Sequence, residues 1–102
     1  MTFNEYQVEA DKTALGLATR TFWYSARGLA GEAGEVAEKI KKYYRDGAGL
    51  DGLVKELGDV LWYLSQIARH ANSSLEEVAK ANIEKLASRQ ARGVIHGEGD
   101  NR

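Results

Sequence analysis

At 102 residues the chain has room for one domain with a modest core, and 43% hydrophobic against 28% charged residues is ordinary for a globular protein. The absence of cysteine excludes disulfides and thiolate metal sites, and a net charge of −1 removes any general electrostatic case for a nucleic-acid polymer as partner. No apolar run reaches the roughly 18–20 residues that span a bilayer, and the start MTFNEYQVEADK lacks the basic and apolar regions of a signal peptide. A cytoplasmic location without membrane contact is therefore expected.

Proline is also absent, which suits long helices joined by glycine turns. Thr2 followed by Glu5 forms a capping box that opens a first helix, expected from about Phe3 to about Leu17. Phe3, Tyr6, Ala10, Thr13 and Leu17 recur along it at helical spacing. The next segment, ATRTFWYSARG, reads either as a loop or as the lead-in to the following helix.

A second helix is expected from about Ser25 to Arg45, with Leu29, Ala33, Val36, Ala37, Ile40 and Tyr44 as its apolar face. Glu32 borders that face, with Glu35 and Lys39 beside it. Each glycine inside a helix costs about 1 kcal/mol against alanine. A helix that retains Gly28, Gly31 and Gly34 therefore predicts close approach by a neighbouring backbone or a ligand.

Gly47 is placed to end the second helix, and Asp51 to cap a third that runs from about Gly52 to Ala71. Leu53, Val54, Leu57, Val60, Leu61, Leu64, Ile67 and Ala68 form its core face. Glu56, Asp59 and Tyr63 follow one edge, and Trp62 projects from nearly the opposite side. A helix this apolar around its circumference is seldom packed on one face only, so Trp62 is expected at a subunit contact.

Ser74 and Glu77 make a second capping box, opening a fourth helix that Gly93 ends. Leu75, Val78, Ala79, Ile83 and Leu86 give its core face, and Asn82, Lys85 and Arg89 a polar stripe along the edge. The tail from about 93 to 102 has no periodicity, and no internal repeat is visible. The whole chain, 1–102, reads as a single domain.

The chemistry lies in the carboxylates. Glu32 and Glu35 are three residues apart on helix two, and Glu56 and Asp59 repeat the arrangement on helix three. A short turn makes these helices an antiparallel hairpin, which sets the two pairs roughly level at about 1.5 Å rise per residue. Four carboxylates brought together repel one another unless a cation sits between them. Oxygen donors without His or Cys suit Mg²⁺, Mn²⁺ or Ca²⁺ rather than zinc.

Each feature also has a plainer reading. Glu35 with Lys39, Glu38 with Lys42, and Lys55 with Asp59 are i, i+4 pairs that would serve a solvated helix equally well. A di-iron bundle would need ExxH motifs, and neither His70 nor His96 follows an acid by three residues. A glycosidase-type dyad would leave two of the four acids unexplained. The stripe of Asn82, Lys85 and Arg89 is either a solvated edge or, beside a metal-binding cluster, an anion site. Phe22, Trp23 and Tyr24 are ordinary core aromatics unless one faces the same cavity, where it would stack on a base; Trp23 is the candidate.

EAGE at 32–35 and ELGD at 56–59 resemble the ExxE…ExxD signature of the all-α nucleoside triphosphate pyrophosphohydrolases, and within them the MazG-like proteins. GLAGEAGEVAEKIKK, KELGDVLWYLSQIA and ANIEKLASRQARGV agree, so the resemblance spans about residues 26 to 95. It resembles less a phosphoribosyl-nucleotide pyrophosphohydrolase of histidine biosynthesis. The resemblance implies an all-α fold, a four-helix MazG-like bundle with an antiparallel central hairpin, completed by oligomerisation as a homodimer or homotetramer. It implies hydrolysis of an NTP or dNTP between the α and β phosphates with Mg²⁺, to the monophosphate and pyrophosphate. On that pattern Glu32, Glu35, Glu56 and Asp59 bind the metal, and Glu35 also positions or deprotonates the attacking water. Lys85 and Arg89, with Asn82 alongside, match the positions that hold phosphates. The competing reading from another class is a non-catalytic helical oligomerisation or nucleotide-sensing module.

Overall fold

The computed structural model describes residues 1–102, the side chain of Ala18 excepted. Its elements are α1 (Phe3–Asp11), a 3-10 turn (Ala18–Arg20), α2 (Phe22–Asp46), α3 (Leu53–His70) and α4 (Leu75–Ala91), with no strand among the described residues. The fold is all-α, as the helical periodicities predict.

The helix ends follow from local hydrogen bonds. Thr2 Oγ1 accepts from Glu5 N at 3.1 Å while the Glu5 carboxylate accepts from Thr2 N at 3.2 Å, a complete capping box. α1 then stops at Asp11, not near Leu17. Thr13 Oγ1 donates back to the Ala10 carbonyl at 2.7 Å, and the Trp62 indole N–H donates to that same carbonyl at 3.2 Å. Those bonds hold the chain out of the helix, and Leu17 is left exposed.

α2 opens earlier than expected. Thr21 caps it by accepting from Tyr24 N at 3.1 Å, so Phe22, Trp23 and Tyr24 form its first turn. Gly47 ends it in the left-handed conformation (φ +68°) and donates to the Tyr43 carbonyl at 3.1 Å. Asp51 does not cap α3 with its side chain; Gly52 takes the cap position, and the Asp51 carbonyl accepts from Lys39 Nζ at 2.9 Å, tying the hairpin shut. Ser74 caps α4 through Glu77 N at 3.1 Å, but the Glu77 carboxylate turns to the Ser73 hydroxyl at 2.8 Å instead of closing the box.

α2 and α3 form the antiparallel hairpin and the main interface of the chain. Gly28 lies against Tyr63, Glu32 beside Asp59, and Gly52 beside Lys39, so positions rise on α2 as they fall on α3. α1 docks on α3 through Gln7, whose amide donates to the Ser65 carbonyl at 3.1 Å and accepts from Leu75 N at 3.0 Å. An Asp11–Arg69 ion pair at 3.1 Å supports the same contact.

Among the described residues few are buried. Ala10, Ala14, Ala68 and Leu75 form the apolar centre, with Ser25, Ser65 and Gln66 buried among the helices. Three expected faces differ in the structure. Trp62 does not project freely away from its own chain: it sits half-buried beside α1, with its indole N–H bonded to Ala10 O and, at 2.8 Å, to Thr13 Oγ1. The expected core positions Val54, Leu57 and Leu64 are instead 82%, 49% and 41% exposed, because the helix is rotated to present Trp62, Ser65 and Ala68 inward. The core face assigned to α4 is likewise buried at Leu75 and half-covered at Ala79, while Val78, Ile83 and Leu86 stay exposed. The radius of gyration, 16.2 Å, exceeds the roughly 13 Å of a closed domain of this size, in keeping with those uncovered faces.

Candidate metal centre and active site

The hairpin register brings Glu32 of α2 level with Glu56 and Asp59 of α3. One carboxylate oxygen from each lies within 4.8 Å of the others, close enough to share a single cation. Glu32 is partly buried. Burial raises its carboxyl above the usual range, and the charges of Asp59, Glu56 and Glu35 push it the same way. Glu35 is exposed and stands outside the tight triplet, in a small cleft with Glu56, Glu38, Lys39 and Lys42.

The solvated-edge reading makes a specific demand, that these acids be paired with lysines. Of the three i, i+4 pairs, only Glu38–Lys42 forms, at 3.9 Å. Lys39 is drawn to the Asp51 carbonyl. Among the described residues, Glu32, Glu35, Glu56 and Asp59 enter no ion pair. Three converging oxygen donors, two of them (Glu32 and Glu56) partly buried and none paired with a basic side chain, fit a hard divalent cation such as Mg²⁺ or Mn²⁺.

A cavity of about 320 Å³ opens beside this cluster, lined by Glu32, Asp59, Thr13, Trp62 and Tyr63. Tyr63 joins the two helices at the site. Its ring packs edge-on to Trp62 with centroids 5.0 Å apart and lies 6.2 Å from the Tyr24 ring. Burial raises the Tyr63 phenol above its ordinary value, and the hydrogen bond to Tyr24 and the nearby Glu32 and Asp59 charges add to this. Burial, then Asp59, raises the Tyr6 phenol as well. The sequence sets Tyr63 on the acidic edge, Thr13 on the stripe of the first helix and Trp62 at a subunit contact, and gives none of the three a part in this site. The arrival of Thr13 and Trp62 depends on where α1 ends, which periodicity did not reveal.

Other candidates lie elsewhere. Trp23 does not line this cavity; it is 70% exposed, with the Arg27 guanidinium 5.2 Å above its ring. Asn82, Lys85 and Arg89 do not line it either. Asn82 is exposed, while Lys85 and Arg89 face Asp100 of the tail at 3.6 and 3.7 Å. His70 packs on Phe22 at 5.4 Å, and His96 is exposed.

Residues 21–94 match the profile of the MazG nucleotide pyrophosphohydrolase domain. The chain belongs to the MazG family. The match takes in both acidic pairs, the connecting turn and all of α4. The MazG chain is also similar to the Gene 37 protein of Mycobacterium phage L5, with 43% identity over 114 residues, covering 95% of this chain and 96% of that protein. No solved structure matches it. Among the described residues, no helix of this MazG protein is long and apolar enough to cross a membrane.

Proposed function

We propose that this MazG protein hydrolyses a nucleoside triphosphate, ribo or deoxyribo, between the α and β phosphates, in the manner of a nucleotide-pool cleansing enzyme. The observation that carries the reading is the convergence of Glu32, Glu56 and Asp59, which enter no ion pair among the described residues, inside a matched MazG domain. Glu32, Glu56 and Asp59 would hold Mg²⁺ or Mn²⁺, with Glu35 completing the ligand set from the adjoining cleft. Such an ion supplies charge neutralisation for the triphosphate and for the departing pyrophosphate.

Glu35 is the group best placed to take the proton of the attacking water, since it is exposed and stands beside the triplet instead of inside it. Water oxygen bonds to the α phosphorus, the bond from that phosphorus to the bridging oxygen breaks, and pyrophosphate leaves with the electron pair. Thr13, Trp62 and Tyr63 wall the adjoining cavity and offer an aromatic surface to the nucleoside. Asn82, Lys85 and Arg89 would bind phosphate oxygens. Because they lie away from the cavity within one chain, this role calls for a homodimer or homotetramer in which a neighbour brings them up. The exposed Val54, Leu57 and Leu64 stripe on α3 supports such an assembly.

The competing reading, a non-catalytic oligomerisation or nucleotide-sensing module, draws on the same exposed stripe and on the separation of basic from acidic residues in the single chain. Incubation with ribo- and deoxyribonucleoside triphosphates and Mg²⁺, assayed for pyrophosphate, separates the two. Release of pyrophosphate with the monophosphate supports the enzyme; binding without turnover of any triphosphate supports the sensor.

A further inference from the structure

The tail beyond α4 lacks secondary structure, yet it is fastened at many points. Arg102 donates to the carbonyls of Val94 at 3.1 Å, Ile95 at 2.9 Å and Gly99 at 2.6 Å, closing residues 94–102 into a loop around its guanidinium. Arg92 donates to the Arg102 carbonyl from outside. The loop is thereby turned back onto the last turns of α4.

Its point of contact is Lys85 and Arg89. Asp100 sets one carboxylate oxygen 3.6 Å from Lys85 Nζ and 3.7 Å from the Arg89 guanidinium. Arg89 also donates to the Asp100 carbonyl at 2.9 Å and the Gly99 carbonyl at 3.4 Å, and is only 6% exposed. Its Nε is buried with no hydrogen-bond partner, so the tail satisfies one edge of the guanidinium and leaves donor capacity unused. The Asp100 side chain itself is 90% exposed. An exposed carboxylate on a partly open cation pair is held weakly, because water screens it.

We propose that Asp100 is an internal competitor for polyphosphate: its carboxylate occupies the Lys85–Arg89 pair, and the tail must release that pair before a triphosphate can engage it. The proposal rests on the assignment of Lys85 and Arg89 as phosphate-binding residues. A phosphate chain carries more charge than one carboxylate and offers several acceptors to the guanidinium, so it displaces Asp100 when abundant. The loop makes substrate affinity depend on tail release, and the charge of Lys85 and Arg89 is half offset by Asp100 when no nucleotide is present.

The test is calorimetric titration of the full chain with inorganic tripolyphosphate in metal-free buffer, which needs no turnover. Asp100→Asn is expected to tighten binding about threefold, within the range of an exposed ion pair. Removal of residues 97–102 is expected to tighten it further, since it also frees the Arg89 donors now used by Gly99 and Asp100. Adding Lys85→Ala to Asp100→Asn should abolish the gain. Unchanged or weaker binding in both Asp100→Asn and the truncated chain would overturn the proposal. If the wild-type chain hydrolyses no triphosphate, the proposed activity fails, yet the titration still decides whether the tail competes.

Discussion

Tyr63 lies against the backbone of Gly28, in the space a side chain at that position would fill. Gly28 is one helical turn before Glu32, and Tyr63 one turn after Asp59. The contact therefore sets how closely α2 and α3 approach beside the carboxylates that must converge. A methyl group on residue 28 would overlap the Tyr63 ring, so the ring or the helix has to move.

Gly28→Val is accordingly expected to destabilise the fold by about 1–3 kcal/mol, the usual range for overpacking. Turnover should fall further than the loss of folded protein accounts for, as Glu32 is pushed from Asp59. Thermal melts beside initial rates measure both. Gly31 and Gly34 have open space around them, so alanine at either should leave rates near the wild-type value.

The carboxylate cluster predicts a metal-dependent stability. The like charges of Glu32, Glu56 and Asp59 oppose folding, and a cation bound only by the native state stabilises it by about 2.7 kcal/mol at a hundred times its dissociation constant. Mg²⁺ or Mn²⁺ should raise Tm of the wild type, and Glu56→Gln should melt higher than wild type without metal and gain little when metal is added. Calorimetry with and without the ion provides the check.

Helix periodicity makes the four helices, their order, the hairpin and the acidic pairs legible in the sequence. The geometry of ExxE on α2 and ExxD on α3 depends only on helical rise and a short turn, both of which leave local marks. The sequence pattern failed where distant residues decide. α1 ends at Asp11 because Trp62, far along the chain, takes a carbonyl and a hydroxyl there, and no local signal carries that. The same contact goes with the rotation of α3, which buries Ser65 and half-buries Trp62 where Leu57 and Leu64 have the better apolar pattern. Placement of Lys85 and Arg89 against Asp100 was equally invisible, since it depends on a tail with no periodicity.

For the basic stripe, Lys85→Ala is the cleaner variant, because Arg89 also anchors the tail. It should raise KM for the triphosphate by about tenfold, the scale of one lost charge-assisted contact, with metal-induced stabilisation unchanged. Steady-state kinetics that show no change would return Asn82, Lys85 and Arg89 to a solvated helix edge.

The exchange of roles between Trp62 and the leucines sets an assembly prediction. Leu57→Glu with Leu64→Glu should reduce the particle mass measured by light scattering towards the 11.2 kDa of one chain, and lower activity with it. Trp62→Phe removes the hydrogen bonds to Ala10 of α1 and to Thr13 just beyond it, and should cost about 1–2 kcal/mol of stability while leaving the assembly intact. A wild-type protein that is monomeric and fully active would contradict the shared-site arrangement.

On the proposed reading, the acids of α2 and α3 form the metal centre of a pyrophosphohydrolase. That reading is tested most directly by the rate of pyrophosphate release from a nucleoside triphosphate as a function of Mg²⁺ concentration, for the wild type, Glu35→Gln and Asp59→Asn. The expected result is no release without the ion, a saturable rise with it, and a loss of roughly a hundredfold or more in both folded variants. Release that ignores Mg²⁺, orthophosphate in place of pyrophosphate, or near-normal turnover in both variants would contradict the account.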